Sequence, residues 1–150
     1  MNCKINILTA KKADIDGMCH LLEQLFSIEK DFSPDRERHK RGLNLLLADK
    51  KAVLFVAKEG DKVVGMCTLQ FFISTAEGGK VALLEDLVVD KDWRGRGIGT
   101  ALLKTAEQYC QKNAVSRITL LADKDNHAAL NFYKKHHLQE TNLIALKKFI

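Results

Sequence analysis

The segment DLVVDKDWRGRGIGTALLKTAEQY, residues 86–109, decides the fold. It begins with the end of an apolar run, continues through the six residues RGRGIG at positions 94–99, and then carries apolar residues at helical spacing. That spacing predicts a helix over residues 98–112, with an inner face formed by Ile98, Ala101, Leu102, Thr105 and Tyr109. A strand, a glycine loop and a helix therefore follow one another directly.

The glycines of this loop indicate a site for an anion. Glycine adopts backbone angles that other residues avoid, and it lets a ligand come close to the backbone. The first N–H groups of the following helix have no partner inside the helix, and the helix dipole makes that end positive. The loop is therefore predicted to bind phosphate groups, with added charge from Arg94 and Arg96 beside Gly95, Gly97 and Gly99.

Other glycine motifs fit the loop less well. An RNA-binding RG segment is disordered and repeated, whereas this one occurs once, between two strong structural signals. The loop lacks the G-x-x-x-x-G-K-[ST] pattern of a Walker loop. It also differs in spacing from the Rossmann pattern and follows the fourth predicted strand instead of the first. A purely structural turn remains an alternative.

The remaining sequence predicts one α/β domain over residues 1–150. Strands are predicted at residues 5–9, 52–57, 63–73, 81–89, 117–121 and 142–149, and helices at residues 13–29, 34–48, 98–112 and 125–135. Ser33 is the expected N-cap of the second helix, with Pro34 in its first turn. This element order indicates a mixed, mainly antiparallel sheet with one β-α-β crossover.

Composition and charge narrow the class of protein. With 46% apolar and 29% charged residues and no apolar run of about 20 residues, the chain is predicted to be a cytoplasmic globular domain without membrane contact. The net charge of +5 suits an anionic ligand. The mixed charges of residues 35–41 argue against nucleic-acid binding. The cysteines are widely spaced and are expected to be core residues, not metal ligands: Cys3, Cys19, Cys67 and Cys110.

Two motifs carry a resemblance to a known family. Residues 86–90 (DLVVD) followed by residues 93–99 (WRGRGIG) resemble the acetyl-CoA motif of the GNAT acetyltransferases, usually written [RQ]-x-x-G-x-[GA]. The second family motif is matched by Asn126-x-x-Ala129-x-x-Phe132-Tyr133. The residues LED at positions 84–86 are similar to those of the diamine (spermidine/spermine) acetyltransferases.

The resemblance implies a fold and a cosubstrate. The implied fold is a six- or seven-stranded mixed sheet, splayed between its fourth and fifth strands and flanked by about four helices. Acetyl-CoA is the implied cosubstrate and no metal is expected. The pantetheine arm would pair with β-strand residues 87–89, and the N–H groups of residues 95–100 would hold the pyrophosphate. The residues expected to bind acetyl-CoA are Leu87, Val88, Val89, Arg94, Gly95, Arg96, Gly97, Ile98, Gly99, Thr100, Asn126, Ala129 and Tyr133.

The implied reaction is direct transfer of acetyl to an amine, which must first lose a proton. Glu85 is the expected proton acceptor, through water, and Asp86 or a water molecule alone is the alternative. Strand alternation places the two carboxylates on opposite faces, with Glu85 beside Leu87 and Val89. A carboxylate that only pairs with a neighbouring cation is the structural alternative for Glu85. The oxyanion donor is expected to be the N–H of Val88 or Val89.

Tyr133 is the expected acid that protonates the departing thiolate, with a core aromatic as the alternative. Asn126 is expected to contact the pantetheine arm, to cap the last helix, or both. The family usually continues this helix with Gly-Phe, whereas this chain has His136-His137-Leu138. A histidine there must adopt the left-handed conformation, or the helix must end differently.

The sequence thus predicts an acetyl-CoA-dependent N-acetyltransferase that acts on a primary amine of a small molecule, polyamine-like or other. The alternatives are an acetyltransferase for protein or peptide amino groups and a non-catalytic CoA-binding regulatory module. A homodimer is expected only by analogy with the family.

Overall fold

The computed structural model describes residues 4–150, and the chain divides after Leu120 into two compact units. The first unit holds eight main elements: β1 (Ile5–Thr9), α1 (Ile15–Ile28), α2 (Arg36–Ala48), β2 (Ala52–Glu59), β3 (Lys62–Ser74), β4 (Gly79–Val89), α3 (Ile98–Lys112) and β5 (Ile118–Leu120). Short 3-10 helices precede α1 at Lys12–Asp14 and follow β4 at Lys91–Trp93. The second unit, from Leu121, contains α4 (His127–Lys135).

The sheet has the strand order β1-β2-β3-β4-β5. The first four strands pair antiparallel with their neighbours, and β5 joins β4 in parallel through the α3 crossover. Short turns allow the antiparallel order, and at the β2–β3 turn Gly60 takes a φ of 55°, a value that favours glycine. The predicted mixed α/β class is confirmed, and the sheet described here has five strands instead of six or seven.

The sixth predicted strand, at residues 142–149, is wrong, because the structure assigns this segment no strand. The apolar run at residues 143–146 is typical of a strand, but a strand also needs a hydrogen-bonded neighbour. No ladder in the described part of the chain includes these residues. Their side chains are exposed, as at Leu143, Ile144, Leu146 and Phe149.

The core of the first unit lies on both faces of the sheet. On one face, α1 and α2 bury a cluster that includes Met18, Leu22, Leu43, Val56, Met66 and Val88. On the other face, α3 approaches the bare backbone of Gly65, where an added Cβ would lie 3.0 Å from Leu102 and 3.1 Å from Ile98. Three cysteines are buried as predicted, Cys19, Cys67 and Cys110, and Cys3 lies outside the described residues.

The second helix begins two residues later than predicted. Its N-cap is Asp35, whose side chain accepts a hydrogen bond from the N–H of Arg38 at 3.1 Å. Ser33 and Pro34 precede the helix and do not cap it, so that prediction is wrong. Aspartate and serine are both good N-caps, and the side chain that reaches the free N–H decides between them.

The last helix ends through a histidine in the left-handed conformation. His137 has a φ of 66°, and its N–H donates to the carbonyl of Lys134 at 3.1 Å. The N–H of Leu138 donates to the carbonyl of Tyr133 at 3.0 Å. This pair of bonds is a Schellman motif, in which glycine is the usual residue at the His137 position. Of the two predicted ways to end this helix, the structure thus shows the one with a histidine in the left-handed conformation.

We expect His137→Gly to stabilise the protein. An L-residue in the left-handed region costs roughly 1–2 kcal/mol, and part of this is offset because glycine is more flexible in the unfolded chain. The free energy of unfolding should rise by about 0.5–1 kcal/mol, which is about 1–4 °C in Tm. His136→Gly is the matched control, because His136 has an ordinary φ of −94° and should gain nothing. Equal or lower Tm for His137→Gly, measured by calorimetry, would contradict this account of the helix end.

Within residues 4–150, the helices are too short or too polar to cross a lipid bilayer.

Candidate active site

The ladder between β4 and β5 is short and leaves part of β4 open. The two strands pair at Ala82 with Ile118, Leu83 with Thr119 and Leu84 with Leu120, and the ladder stops there. β4 continues to Val89, and in the described chain residues 86–89 pair only with β3. The predicted divergence between the fourth and fifth strands therefore begins at Leu84. Beyond it, one edge of β4 offers backbone groups that no neighbouring strand takes.

A β-bulge lies where this divergence begins. The register of β3 and β4 shifts between Thr68, which pairs with Asp86, and Leu69, which pairs with Leu84. Glu85 is therefore the extra residue on β4. A bulge bends its strand and increases the local twist, which fits the loss of β5 pairing at the same place.

The bulge also changes the faces of the two carboxylates. Gln70 donates to the Glu85 carboxylate at 3.0 Å, and the Thr68 hydroxyl donates to Asp86 at 2.8 Å. Thr68 and Gln70 are two residues apart on β3 and share one face. Glu85 and Asp86 thus lie on the same face, and Leu87 lies on the other. The predicted opposite placement, with Glu85 beside Leu87 and Val89, is wrong because the bulge interrupts the alternation.

The backbone direction of β4 selects the groups at its open edge. The N–H of Asp90 donates to the carbonyl of Val64 on β3 at 2.9 Å, and the N–H of Asp86 donates to the Thr68 hydroxyl at 3.1 Å. Because successive N–H groups along a strand alternate between its two sides, Val88 also points to β3. Leu87 and Val89 therefore direct their backbone groups to the open edge.

Four residues separate the end of β4 from the glycine loop, which begins at Arg94. Gly95 and Gly97 have φ values of 74° and 76°, and a Cβ added at either would meet no atom within 4 Å. Both positions thus need glycine for their backbone angles and open onto free space. Gly97 is the N-cap of α3, and its carbonyl accepts the N–H of Ala101 at 3.0 Å. The first-turn N–H groups of α3 thus point toward the space that the glycines leave open.

Both arginines of the loop contact the backbone nearby. Arg94 Nε donates to the carbonyl of Val89 at 3.2 Å, which joins the loop to the end of β4. Arg96 donates to the carbonyl of Asp92 at 3.3 Å, and its guanidinium lies 4.6 Å above the Trp93 ring. These contacts hold two positive charges next to the helix start while leaving both side chains exposed.

The first helix also holds the segment that leads into the loop. Gln24 on α1 donates to the Asp90 carboxylate at 3.2 Å and accepts from the N–H of Lys91 at 3.1 Å. The second oxygen of Asp90 accepts from the N–H of Asp92 at 2.9 Å. Through these bonds, α1 fixes the point where β4 ends and the loop begins.

The two carboxyls of the bulge differ in their surroundings. Glu85 is exposed, whereas Asp86 is only 7% exposed. The pKa of Asp86 is raised to about 7, mainly by burial and then by the charges of Glu85 and Glu29, against the hydrogen bond from Thr68, which lowers it. Asp86 is thus a buried carboxyl that can exchange a proton near neutral pH.

The second unit holds the remaining predicted cosubstrate residues on α4. Asn126 is the N-cap of this helix, and its side chain accepts the N–H of Ala129 at 3.1 Å. The predicted cap is therefore confirmed. Tyr133 lies two turns later and is half-buried, and its ring meets that of Phe132 edge-on at 5.5 Å between centroids.

The sequence interpretation missed Thr68 and Gln70. Both are polar residues in the otherwise apolar run VVGMCTLQFF on β3. Their distance of 15 to 18 residues from the LED carboxylates fits a β3–β4 hairpin, and that pattern could have identified them. Across the described residues, no group of three or more His, Cys, Asp or Glu side chains has the arrangement of a metal site.

Comparison with known proteins gives a consistent result. Residues 15–138 match the model of the Acetyltransferase (GNAT) family. An uncharacterised N-acetyltransferase of Methanocaldococcus jannaschii is 28% identical over 145 residues, which are 93% of this chain and 64% of that protein. The present chain thus spans less than two thirds of this relative's length.

Two solved structures share the fold over almost the whole chain. A transcriptional regulator from Bacillus halodurans has a TM-score of 0.85 at 26% identity, covering 98% of this chain and 100% of its own. An aminoglycoside acetyltransferase from an uncultured soil metagenomic sample has a TM-score of 0.79 at 26% identity, covering 97% and 96%. The family match extends over most of the sheet and both motifs, and on that basis the chain belongs to the acetyltransferase (GNAT) family.

Proposed function

We propose that this protein is an acetyl-CoA-dependent N-acetyltransferase that transfers acetyl to a primary amine of a small molecule. The observation that carries the proposal is the open edge of β4 directly before the glycine loop and the N-terminus of α3. An extended amide-containing arm suits the first feature, and a pyrophosphate suits the second. Acetyl-CoA contains both groups in one molecule.

Binding of acetyl-CoA would use backbone groups more than side chains. The backbone groups of Leu87 and the carbonyl of Val89 would form hydrogen bonds with the pantetheine amides, as an added strand does. The N–H groups of residues 95–100 would hold the pyrophosphate, with Arg94 and Arg96 supplying positive charge. The family resemblance implies further contacts with the cosubstrate, and we assign these to Asn126, Ala129 and Tyr133.

The proposed reaction has three proton or charge steps. The ammonium loses one proton to Glu85 through water, and the free amine forms the new N–C bond at the acetyl carbonyl. As the C–S bond breaks and the thiolate leaves, the nitrogen gives up a second proton to solvent, which leaves the neutral amide. The N–H of Val89 faces the open edge and is the proposed oxyanion donor, whereas Val88 faces β3. Tyr133 donates its hydroxyl proton to the departing thiolate and later regains one from solvent.

The acceptor is proposed to be cationic before it reacts. Glu85 and Asp86 share one face of the sheet, and the charge of Glu29, at the end of α1, reaches Asp86. Carboxylates grouped in this way attract a protonated amine. Polyamines, aminoglycosides and peptides with a free amino group all meet this requirement, so small molecules and proteins are both candidate acceptors.

The discriminating experiment incubates the protein with acetyl-CoA and a panel of amines from these three classes, followed by mass spectrometry. The proposal expects a gain of one acetyl group on a small amine, with an equal amount of free CoA. Acetylation of peptides alone would contradict the small-molecule acceptor but would support the proposed acetyl transfer.

A second candidate is a CoA-binding regulatory module without catalysis, favoured by the fold shared with a transcriptional regulator. It expects acetyl-CoA to bind while no amine of the panel is acetylated. Cytoplasmic location and a homodimer stay predictions from the sequence.

A further inference from the structure

The bulge on β4 is fastened to β3 by one buried hydroxyl. Thr68 is fully buried, at 0% exposed, and its Oγ1 makes two hydrogen bonds to the same residue. It donates to Asp86 Oδ2 at 2.8 Å and accepts from the Asp86 N–H at 3.1 Å. The Thr68 side chain is thus hydrogen-bonded to both the backbone and the carboxyl of Asp86, the residue that follows the bulge.

We propose that Thr68 is a positioning residue for acetyl transfer, holding the bulge and the Asp86 carboxyl beside Glu85 so that the two carboxyls act together on the incoming amine. This inference rests on the proposed acetyltransferase function and deepens it. Thr68 itself has no contact with solvent, so it acts only through Asp86. The two carboxyls are adjacent in sequence and lie on one face, and the charge of Glu85 raises the pKa of Asp86.

The proton balance of this step is simple. The ammonium N–H bond breaks, the proton passes through water to the carboxyl pair, and the pair later releases it to solvent. A group that takes up a proton near the working pH is well suited to this task. Among the described residues, the charged groups that act on Asp86 are Glu85 on β4 and Glu29 at the end of α1. The Cys67 thiol on β3 belongs to the opposite face of the sheet, and burial keeps it neutral by raising its pKa to about 12.

The hydroxyl of Thr68 favours the ionised form of Asp86, because it donates a hydrogen bond to the carboxylate. Thr68→Val keeps the shape and the β-branched side chain but removes the donor. The pKa of Asp86 should then rise, by about one pH unit for the loss of a hydrogen bond to a charged group. Thr68→Ser returns the hydroxyl and should restore the wild-type value.

The test has one arm that needs no activity. The carboxyl carbon of Asp86, assigned by comparison with Asp86→Asn, is titrated by NMR in the free protein. We expect the midpoint to rise in Thr68→Val and to return in Thr68→Ser. The matched control is Thr105→Val on α3, where the hydroxyl bonds only the carbonyl of Ala101 at 2.9 Å. An unchanged Asp86 midpoint in Thr68→Val would overturn the inference whether or not the protein is an acetyltransferase.

The second arm measures kcat/KM against pH with an amine identified by the panel. We expect the acidic limb to move upward by about one pH unit in Thr68→Val, with the acetyl-CoA KM changed less than about threefold. If Thr68→Val folds poorly, Thr68→Ala is compared with Thr68→Ala/Asp86→Asn. The inference expects the double variant to be no slower than Asp86→Asn alone. Superimposable pH profiles of the wild type and Thr68→Val would refute the positioning role, and so would fully additive losses of kcat/KM in the double variant. Absence of turnover in the wild type would refute only the proposed function.

Discussion

Gly97→Ala should weaken acetyl-CoA binding by about 100-fold or more, equal to roughly 3 kcal/mol. Gly97 has a φ of 76°, so an L-residue there is strained, and its Cβ would project into the open space in front of the first turn of α3. If the loop shifts to relieve the strain, its N–H groups lose their common direction. The dissociation constant, measured by isothermal titration calorimetry, reports both effects.

Gly60→Ala is the control for strain alone. Gly60 has a φ of 55° and equally open surroundings, but it lies in the β2–β3 turn, outside the proposed site. Both variants should lose a similar free energy of unfolding, about 1 kcal/mol. Only Gly97→Ala should lose affinity for acetyl-CoA. Equal affinities for the two variants would show that the glycine loop is only a structural turn.

Tyr133→Phe should lower kcat by about 100-fold, because a positioned general acid contributes 10²–10⁴-fold. The dissociation constant for acetyl-CoA should change less than about threefold, since the ring and its contact with Phe132 are kept. The measurement compares single-turnover rates at saturating acetyl-CoA and amine. A thiolate that departs without its proton is the poorer leaving group, so the loss belongs to the chemical step.

Tyr109→Phe is the matched control, because Tyr109 is the other of the two tyrosines in the chain. Its ring packs on α3 against Phe55 and Phe71, at 5.8 Å and 5.7 Å between centroids. Loss of this hydroxyl should leave kcat unchanged. Full activity of Tyr133→Phe would remove Tyr133 from the acid role, and an equal loss in both variants would assign the effect to stability.

Local signals in the sequence were enough to predict most elements of the fold. The helix over residues 98–112 has the predicted bounds, because its apolar spacing, the glycine before it and its buried face agree. The first five strands also occur, since each is an apolar run bounded by turn residues. Residues 142–149 have the same apolar pattern but form no strand, since a ladder partner is a tertiary property that a pattern does not contain.

The candidate site, too, was predictable only where local sequence determines the backbone. The position of the glycine loop was predictable, because Gly95 and Gly97 take positive φ values that favour glycine and a helix follows directly. The face on which Glu85 lies was not predictable, because a bulge shifts the side-chain alternation by one residue and the sequence LED does not indicate a bulge. The left-handed His137 was predictable only as one of two options, and its hydrogen bonds decide between them.

Amide hydrogen exchange with and without acetyl-CoA tests the central claim most directly. The account predicts slower exchange at Leu87 and Val89, whose N–H groups face the open edge of β4, and at residues 95–100 of the glycine loop and helix start. Val88 should change little, because its N–H already faces β3. Unchanged exchange rates at β4 and the glycine loop while acetyl-CoA is bound would contradict the account. A larger decrease in exchange rate at Val88 than at Val89 would contradict it as well.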